Sequence, residues 1–305
     1  MIKISYPGGN ENLSTEELLR DGAKRLKGSG ISQSRAEVEI LMASVLDIPR
    51  WKLYLQKEET LSPEAEKKFQ IALGKREKHT PLSYITGKKE FYGYEFKVSP
   101  SVLIPRPETE ILIETAISII RESNNGKDEK LCIADLGTGS GAIAVTLALL
   151  IPHAEIWALD SSLAALEIAA ENASYHKVAS RINFVAGRFK DIPALFPKSI
   201  NMIITNPPYI CSRNIAQLPP HIKDYEPLSA LDGGEDGLNC YREILDALSK
   251  TSIAPPAILL SETGEDSLSS LKALCSSHPA ISSFSFIKDY RDFERVLKAE
   301  LNGAK

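Results

Sequence analysis

A doubly wound α/β domain, preceded by a small helical domain and a linking β-hairpin, is the architecture this 305-residue sequence predicts. Three observations carry that reading. From residue 131 onward, short apolar runs alternate with stretches of helical periodicity, the pattern of a mostly parallel sheet covered on both faces. One run ends in a glycine-rich turn, Asp135-Leu136-Gly137-Thr138-Gly139-Ser140-Gly141. Another, Met202-Ile203-Ile204-Thr205, ends in Asn206-Pro207-Pro208-Tyr209, where two prolines with fixed φ and no N–H must stop a strand and stiffen the loop.

In chain order, residues 1–80 read as helical. Ser14-Thr15-Glu16-Glu17 and Ser34-Arg35-Ala36-Glu37 both fit a capping box, a hydroxyl followed three residues later by glutamate. Val38, Leu41, Met42, Val45 and Leu46 then fall on one helical face. Ser62-Pro63 is a cap with proline at the first helical position, and Phe69, Ala72, Leu73 and Arg76 follow at helical spacing. Nothing in this segment carries chemistry, so it is a packing or docking module. Residues 81–105 change character: the alternation from Phe91 to Val98 around Gly93 predicts a β-hairpin, with Val102-Leu103-Ile104-Pro105 as an arm or exit strand. Residues 106–305 form the α/β domain. Arg106-Pro107-Glu108-Thr109-Glu110 opens a helix, with carboxylates in the first turn where the dipole favours them. The polar run 122–130 is a loop. Strands are expected at 131–136, 155–159, 182–186, 201–205 and 257–260, and a closing antiparallel pair at 284–287 and 295–298 brings the sheet to seven.

Composition narrows the classes of function. At 43% hydrophobic and 25% charged this is an ordinary globular chain, and a net charge of −4 argues against wrapping nucleic acid. Four cysteines without CxxC spacing suggest a reducing compartment, and five histidines without HxxxH or HExxH suggest no metal site. Cys211, near the proline loop but isolated from the other cysteines, reads as inert packing. Residues 1–8 lack the apolar core of a signal peptide, and Asp135 with three glycines breaks the apolar stretch 132–152 as a membrane span. The expectation is a cytoplasmic monomer without membrane attachment.

Gly137, Gly139 and Gly141 on a strand-to-helix turn let a ligand approach the backbone and the N–H groups of a helix start. Asp160, at the end of the next strand, is placed to hold ribose hydroxyls. The loop therefore predicts an adenosine-containing cofactor, with Asp135, Gly137, Thr138, Gly139, Ser140, Gly141 and Asp160 around it. The same letters fit a dinucleotide fingerprint. Asp135 would repel a pyrophosphate and attract a cationic methionine, and a dehydrogenase has no evident use for the Asn206 loop. Both favour S-adenosylmethionine, with S-adenosylhomocysteine as product.

Open α/β sheets bind ligands beyond the carboxyl ends of their strands. The strands before Gly137 and Asn206 commonly lie side by side, so Asn206 would face the reactive end of the cofactor. The Asn206 side-chain carbonyl and the Pro207 backbone carbonyl can accept both protons of a planar –NH₂ group. Tyr209 would add a flat face, with Pro208 completing the substrate loop. Such a site works by positioning and polarisation, on an amide or exocyclic amine.

These residues resemble the amino-methyltransferase class of S-adenosylmethionine-dependent enzymes and, more narrowly, the release factor glutamine methyltransferase family. The narrower likeness rests on Pro81-Leu82-Ser83-Tyr84-Ile85-Thr86-Gly87, Glu90-Phe91, Val98-Ser99-Pro100 and Leu103-Ile104-Pro105-Arg106-Pro107-Glu108-Thr109-Glu110. It continues through the two loops, Tyr225-Glu226-Pro227, Gly234-Glu235-Asp236-Gly237-Leu238 and Glu294-Arg295. The resemblance implies a seven-stranded methyltransferase sheet and methylation of the glutamine amide nitrogen in the Gly-Gly-Gln loop of peptide chain release factors. The helical domain would grip the release factor away from the chemistry. It also implies Phe189 against the adenine. Two departures stand out: Arg188 occupies the place of an acidic adenine contact, with Asp191 as a candidate substitute, and Arg291 replaces a common glycine. Rival readings are a ribosomal-protein glutamine, an exocyclic amine of a nucleic-acid base, and a degenerate fold kept as a binding scaffold.

Overall fold

The computed structural model describes residues 13–123, 131–196, 200–251 and 257–302. The segment 1–8 and nearly all of the loop expected at 122–130 lie outside the described residues. The chain divides into two compact units, Met1–Thr86 and Gly87–Lys305.

The first unit contains α1 (Thr15–Gly28), α2 (Ser34–Leu46), a 3₁₀ helix at Arg50–Tyr54, α3 (Pro63–Glu77) and α4 (Leu82–Thr86). Leu19, Leu26, Val38, Met42, Phe69 and Leu73 form its fully buried core. The capping box at Ser14 and Glu17 forms, and Ser62 caps α3 by accepting from the Ala65 N–H. The box expected at Ser34 does not form. Ser34 is already helical, the N-cap is Gln33 without a side-chain bond, and Glu37 instead accepts from the Arg76 guanidinium at 2.5 and 3.2 Å. A forked ion pair to α3 thus takes the carboxylate that a cap would have used. Residues 82–86, expected to belong to the hairpin linker, form α4 because Leu82 and Ile85 pack on the helical core.

The second unit begins with a hairpin, β1 (Lys88–Phe91) and β2 (Tyr94–Lys97). Its two-residue turn, Tyr92 and Gly93, has positive φ at both positions, the turn that suits strand twist. Val102 to Pro105 is not a strand but irregular chain, because the Ile104 N–H is bonded to a side-chain carboxylate and not to a neighbouring strand. A one-turn 3₁₀ helix, Pro107–Thr109, then leads into α5 (Glu110–Ser123).

The remaining elements are β3 (Leu131–Leu136), α6 (Ala142–Leu150), β4 (Ala154–Asp160), α7 (Leu163–Tyr175), β5 (Ile182–Ala186), the short α8 (Ile192–Leu195) and β6 (Met202–Thr205). After them come α9 (Ser212–Ile215), α10 (Pro220–Lys223), α11 (Asn239–Ser249), β7 (Ala257–Glu262), α12 (Leu268–Ser277), β8 (Ile281–Lys288) and β9 (Glu294–Leu301). The seven strands run in the order β5-β4-β3-β6-β7-β9-β8, and β9 runs against its two neighbours. Sheet residues alternate between two cores. Ile133 and Ile204 pack with Ile113, Val145 and Ala173 of α5, α6 and α7, while Ala134 and Ile203 pack with Leu245 and Leu271 of α11 and α12. The apolar stretch 132–152 is thereby explained without a membrane, since β3 and α6 are both buried inside the domain. No helix among the described residues is long and apolar enough to cross a membrane.

The chain winds outward from β3 through β4 to β5, then returns to the other side of β3 for β6 and β7. That reversal between β3 and β6 is the switch point at which such sheets open a crevice. Both predicted loops leave the sheet there.

Candidate active site

β3 and β6 pair in parallel with Leu136 opposite Thr205, and the buried Thr205 hydroxyl donates to the Leu136 carbonyl at 2.7 Å. The two loops beyond these strands therefore start side by side. In the first, the N–H groups of Gly137 and Thr138 both donate to the Leu159 carbonyl, at 2.8 and 2.9 Å. Gly141, with φ +79°, lies so close to α7 that a Cβ would sit 3.0 Å from the Ala169 Cβ.

Two carboxylates brace this turn. Asp160 accepts from the Gly139 N–H through Oδ2 and from the Ser162 N–H through Oδ1, both at 2.9 Å. Asp135 is fully buried, and its Oδ2 accepts from the Thr138 hydroxyl at 2.7 Å and the Ala144 N–H at 3.1 Å. Its Oδ1 is buried with no hydrogen-bond partner among the described residues, and burial pushes the carboxyl pKa up to about 7.

The second loop is held from further away. The Asn206 Nδ2 donates to Thr109 Oγ1 at 3.1 Å, and that hydroxyl donates to Glu262 Oε2 at 2.6 Å. Tyr209 donates its phenol to Glu262 Oε1 at 3.0 Å. Glu262 ends β7 and is 1% exposed. Burial raises the pKa of both the Glu262 carboxyl and the Tyr209 phenol. Two glycine segments pack on Tyr209. A Cβ on Gly237 (φ +77°) would lie 2.4 Å from the Tyr209 carbonyl oxygen, and one on Gly264 would lie 2.7 Å from its ring.

A cavity of about 290 Å³ opens over these loops. Of the residues predicted from sequence, Gly137, Thr138, Gly139, Ser140, Asp160, Phe189, Asn206 and Pro208 line it. Asp135, Gly141, Pro207 and Tyr209 do not. Asp135 braces the turn from behind, Gly141 faces α7, and Tyr209 points its hydroxyl to Glu262 instead of offering the wall a flat face. Pro207 is buried, and among the described residues no N–H or O–H donates to its carbonyl.

Sequence reasoning missed the opposite wall. Phe91 of the hairpin and Val102, Leu103, Pro105 and Arg106 of the irregular segment line the cavity. That segment is clamped by Glu226, whose buried carboxylate accepts from the Ile104 N–H at 3.2 Å and from Arg106 Nη2 at 2.5 Å. The clamp takes the backbone donor that a strand would have needed. The words Leu-Ile-Pro-Arg-Pro and Tyr-Glu-Pro were visible in sequence, but their pairing was not.

Near Phe189 the wall continues with Arg188, Cys240 and Glu243. Asp191 is not in the wall: its Oδ2 accepts from the Arg188 N–H at 2.9 Å and closes the local turn. Glu243 accepts from the Lys190 N–H at 3.2 Å, so a carboxylate from α11 stands beside the Phe189 segment. The residues present fit an adenosine-containing cofactor. They supply a glycine turn, an acidic residue whose oxygens keep lone pairs free, and an aromatic ring packed 3.7 Å from where a Gly137 Cβ would lie.

Comparison with known proteins agrees with this fold. The chain matches a PrmC N-terminal domain model over residues 17–87 and a methyltransferase domain model over residues 127–263. It is 35% identical to the release factor glutamine methyltransferase of Moorella thermoacetica, covering 94% of this chain and 98% of that protein. It is 38% identical to the protein of the same name from Cereibacter sphaeroides, covering 81% and 84% respectively. Among solved structures, the catalytic domain of human METTL16 in complex with a 3′UTR hairpin superposes with a TM-score of 0.53 at 14% identity, over 78% of this chain and 82% of that one. The METTL16 N-terminal domain in complex with SAH gives a TM-score of 0.50 at 15% identity, over 81% and 86%. Those two likenesses concern the fold. The curated relatives reach further, and on their identity and coverage the chain belongs to the release factor glutamine methyltransferase family.

Proposed function

We propose that this enzyme transfers a methyl group from S-adenosylmethionine to the side-chain amide nitrogen of the glutamine in the Gly-Gly-Gln motif of peptide chain release factors. The observation that carries the reading is the position of Asn206. It stands in the wall of the cavity that also contains the glycine turn, Asp160 and Phe189, with its amide nitrogen bonded away to Thr109.

When bound, S-adenosylmethionine supplies an electrophilic methyl group on a sulfonium. The glycine turn and Asp160 would hold its ribose, and Phe189 would pack on the adenine. Glu243, which lines the cavity and accepts from the Lys190 N–H, would meet the adenine amino group in place of the acidic residue that Arg188 replaces. Asp135 acts through the turn and not by contact.

An amide nitrogen is a poor nucleophile because its lone pair is delocalised into the carbonyl. Asn206 Oδ1 and the Pro207 carbonyl would accept its two N–H groups, shifting electron density to the nitrogen and fixing its direction of attack. Tyr209 and Pro208 would support that loop, Tyr209 from behind. The contribution is orientation and electrostatics, which for well-aligned groups reaches several kcal/mol. The Phe91 and 102–106 wall would exclude water.

In this reading residues 1–80 dock the release factor, 81–105 link, and 106–305 catalyse, in a cytoplasmic monomer that needs no nucleic acid. The test is label transfer from S-adenosylmethionine to purified release factor, ribosomal protein or DNA offered separately. Label on the release factor, lost on Gln→Ala in its Gly-Gly-Gln loop, is the expected result. Label confined to either other substrate would overturn it.

A further inference from the structure

We infer that Thr109 and Glu262 are positioning residues that dictate which face of the Asn206 amide meets the substrate. The inference rests on the proposed methyl transfer to a glutamine amide and deepens it. An asparagine amide is nearly symmetric in shape, with an acceptor on one side and two donors on the other. Only the acceptor can receive a substrate N–H. A reversed amide would set two donors against two donors, so half of the orientational freedom of Asn206 is unproductive.

Counting protons resolves the choice. In its ionised form, which the bonds from Thr109 and Tyr209 and the charge of Arg295 favour against burial, the Glu262 carboxylate accepts and cannot donate. Glu262 takes the Thr109 proton on Oε2 and the Tyr209 proton on Oε1, at 2.6 and 3.0 Å. Having given its single proton to Glu262, the Thr109 hydroxyl has only lone pairs left for Asn206. It can therefore bond the –NH₂ side of Asn206 and not the oxygen, and the contact at 3.1 Å is of that kind. Oδ1 is left on the side away from Thr109. Thr109 is 5% exposed and Glu262 1%, so water does not compete for these bonds.

The relay joins three distant stretches: the turn before α5, the loop after β6 and the end of β7. Its place at the cavity sets it apart from an ordinary buried network, because Thr109 and Asn206 both line the wall.

The test compares the full-length enzyme with Thr109→Val, Thr109→Ser and Glu262→Met, using release factor as substrate. Thr109→Val keeps the shape and removes the relay. We expect kcat to fall by about tenfold or more, while the dissociation constant for S-adenosylmethionine stays within about threefold. Thr109→Ser restores the hydroxyl and should recover kcat to within about threefold of wild type. A second reading is independent of turnover. In protein labelled with ¹⁵N-asparagine, the Asn206 side-chain signal, identified by its loss in Asn206→Ala, should exchange slowly with solvent in wild type and in Thr109→Ser. It should exchange faster in Thr109→Val. Glu262→Met, which removes both acceptors, carries the same expectation and serves if the valine variant does not fold.

The proposal is overturned if Thr109→Val keeps its kcat, if Thr109→Ser is as impaired as Thr109→Val, or if Asn206 exchange is unchanged among the variants. If the wild type does not methylate release factor, the functional reading fails while the exchange measurement still decides the relay.

Discussion

The two loops that meet at the cavity are held by different means. The glycine turn is braced locally: Asp135, Thr138, Ala144, Leu159, Asp160 and Ser162 all lie within one strand-turn-helix-strand unit and its exit. The Asn206 loop owes its shape to partners from Thr109, Gly237, Glu262 and Gly264, drawn from across the domain. A loop that carries its own braces can form as soon as its unit forms. One held by distant partners is shaped only when the whole sheet has closed. In the proposed reading the arrangement separates duties: the first loop would hold the cofactor, and the second would present acceptors to the reacting amide.

The largest effect expected from breaking the first set of braces is on cofactor binding. Asp160→Ala removes the charged acceptor of two backbone N–H groups, and losing about 1–2 kcal/mol of loop organisation would weaken S-adenosylmethionine binding by about five- to thirtyfold in calorimetry. The Asn206 loop should keep its protection in hydrogen exchange. In the second loop, Gly237→Ala places a methyl on the Tyr209 carbonyl in a left-handed conformation, at a cost of about 2–3 kcal/mol. Urea unfolding should report that loss, and methyl transfer should fall more than cofactor affinity does.

A further effect concerns Asp135 and pH. Its folded pKa is raised from 3.8 to about 7, so the native state holds the proton more tightly than the unfolded chain does. Its contribution to stability is complete below the unfolded value and is lost as pH rises through about 7. The slope in that window is at most about 1.4 kcal/mol per pH unit. Asp135→Asn should flatten the decline in unfolding free energy between those pH values, and equal slopes in both proteins would contradict the assignment.

The same contrast explains what was legible in the sequence. The parallel strands, α6 and the glycine turn could be read because apolar runs and glycine spacing are local signals, and the strand bounds at 131–136 and 182–186 were read without error. Asn206 was legible because two prolines isolate it. The roles of Thr109, Glu243 and Glu262 were not, nor was the pairing of Glu226 with residues 104 and 106, because a threonine at a helix start and glutamates in loops, helices and strand ends are common. Only the topology brings Thr109 to Glu262, 153 residues away. The same limit explains Tyr209, read as a stacking platform and found bonded to a glutamate 53 residues further on. It also explains the missed cap at Ser34, where a cross-helix ion pair claimed Glu37.

The separation of duties can be measured on a single substitution. Asn206→Ala removes the acceptor without touching the glycine turn. In one preparation, S-adenosylmethionine affinity is measured by calorimetry and label transfer to release factor by single-turnover assay. The account predicts that transfer falls by about a thousandfold or more while affinity stays within about threefold. A parallel loss of both, or transfer that survives the substitution, would contradict it.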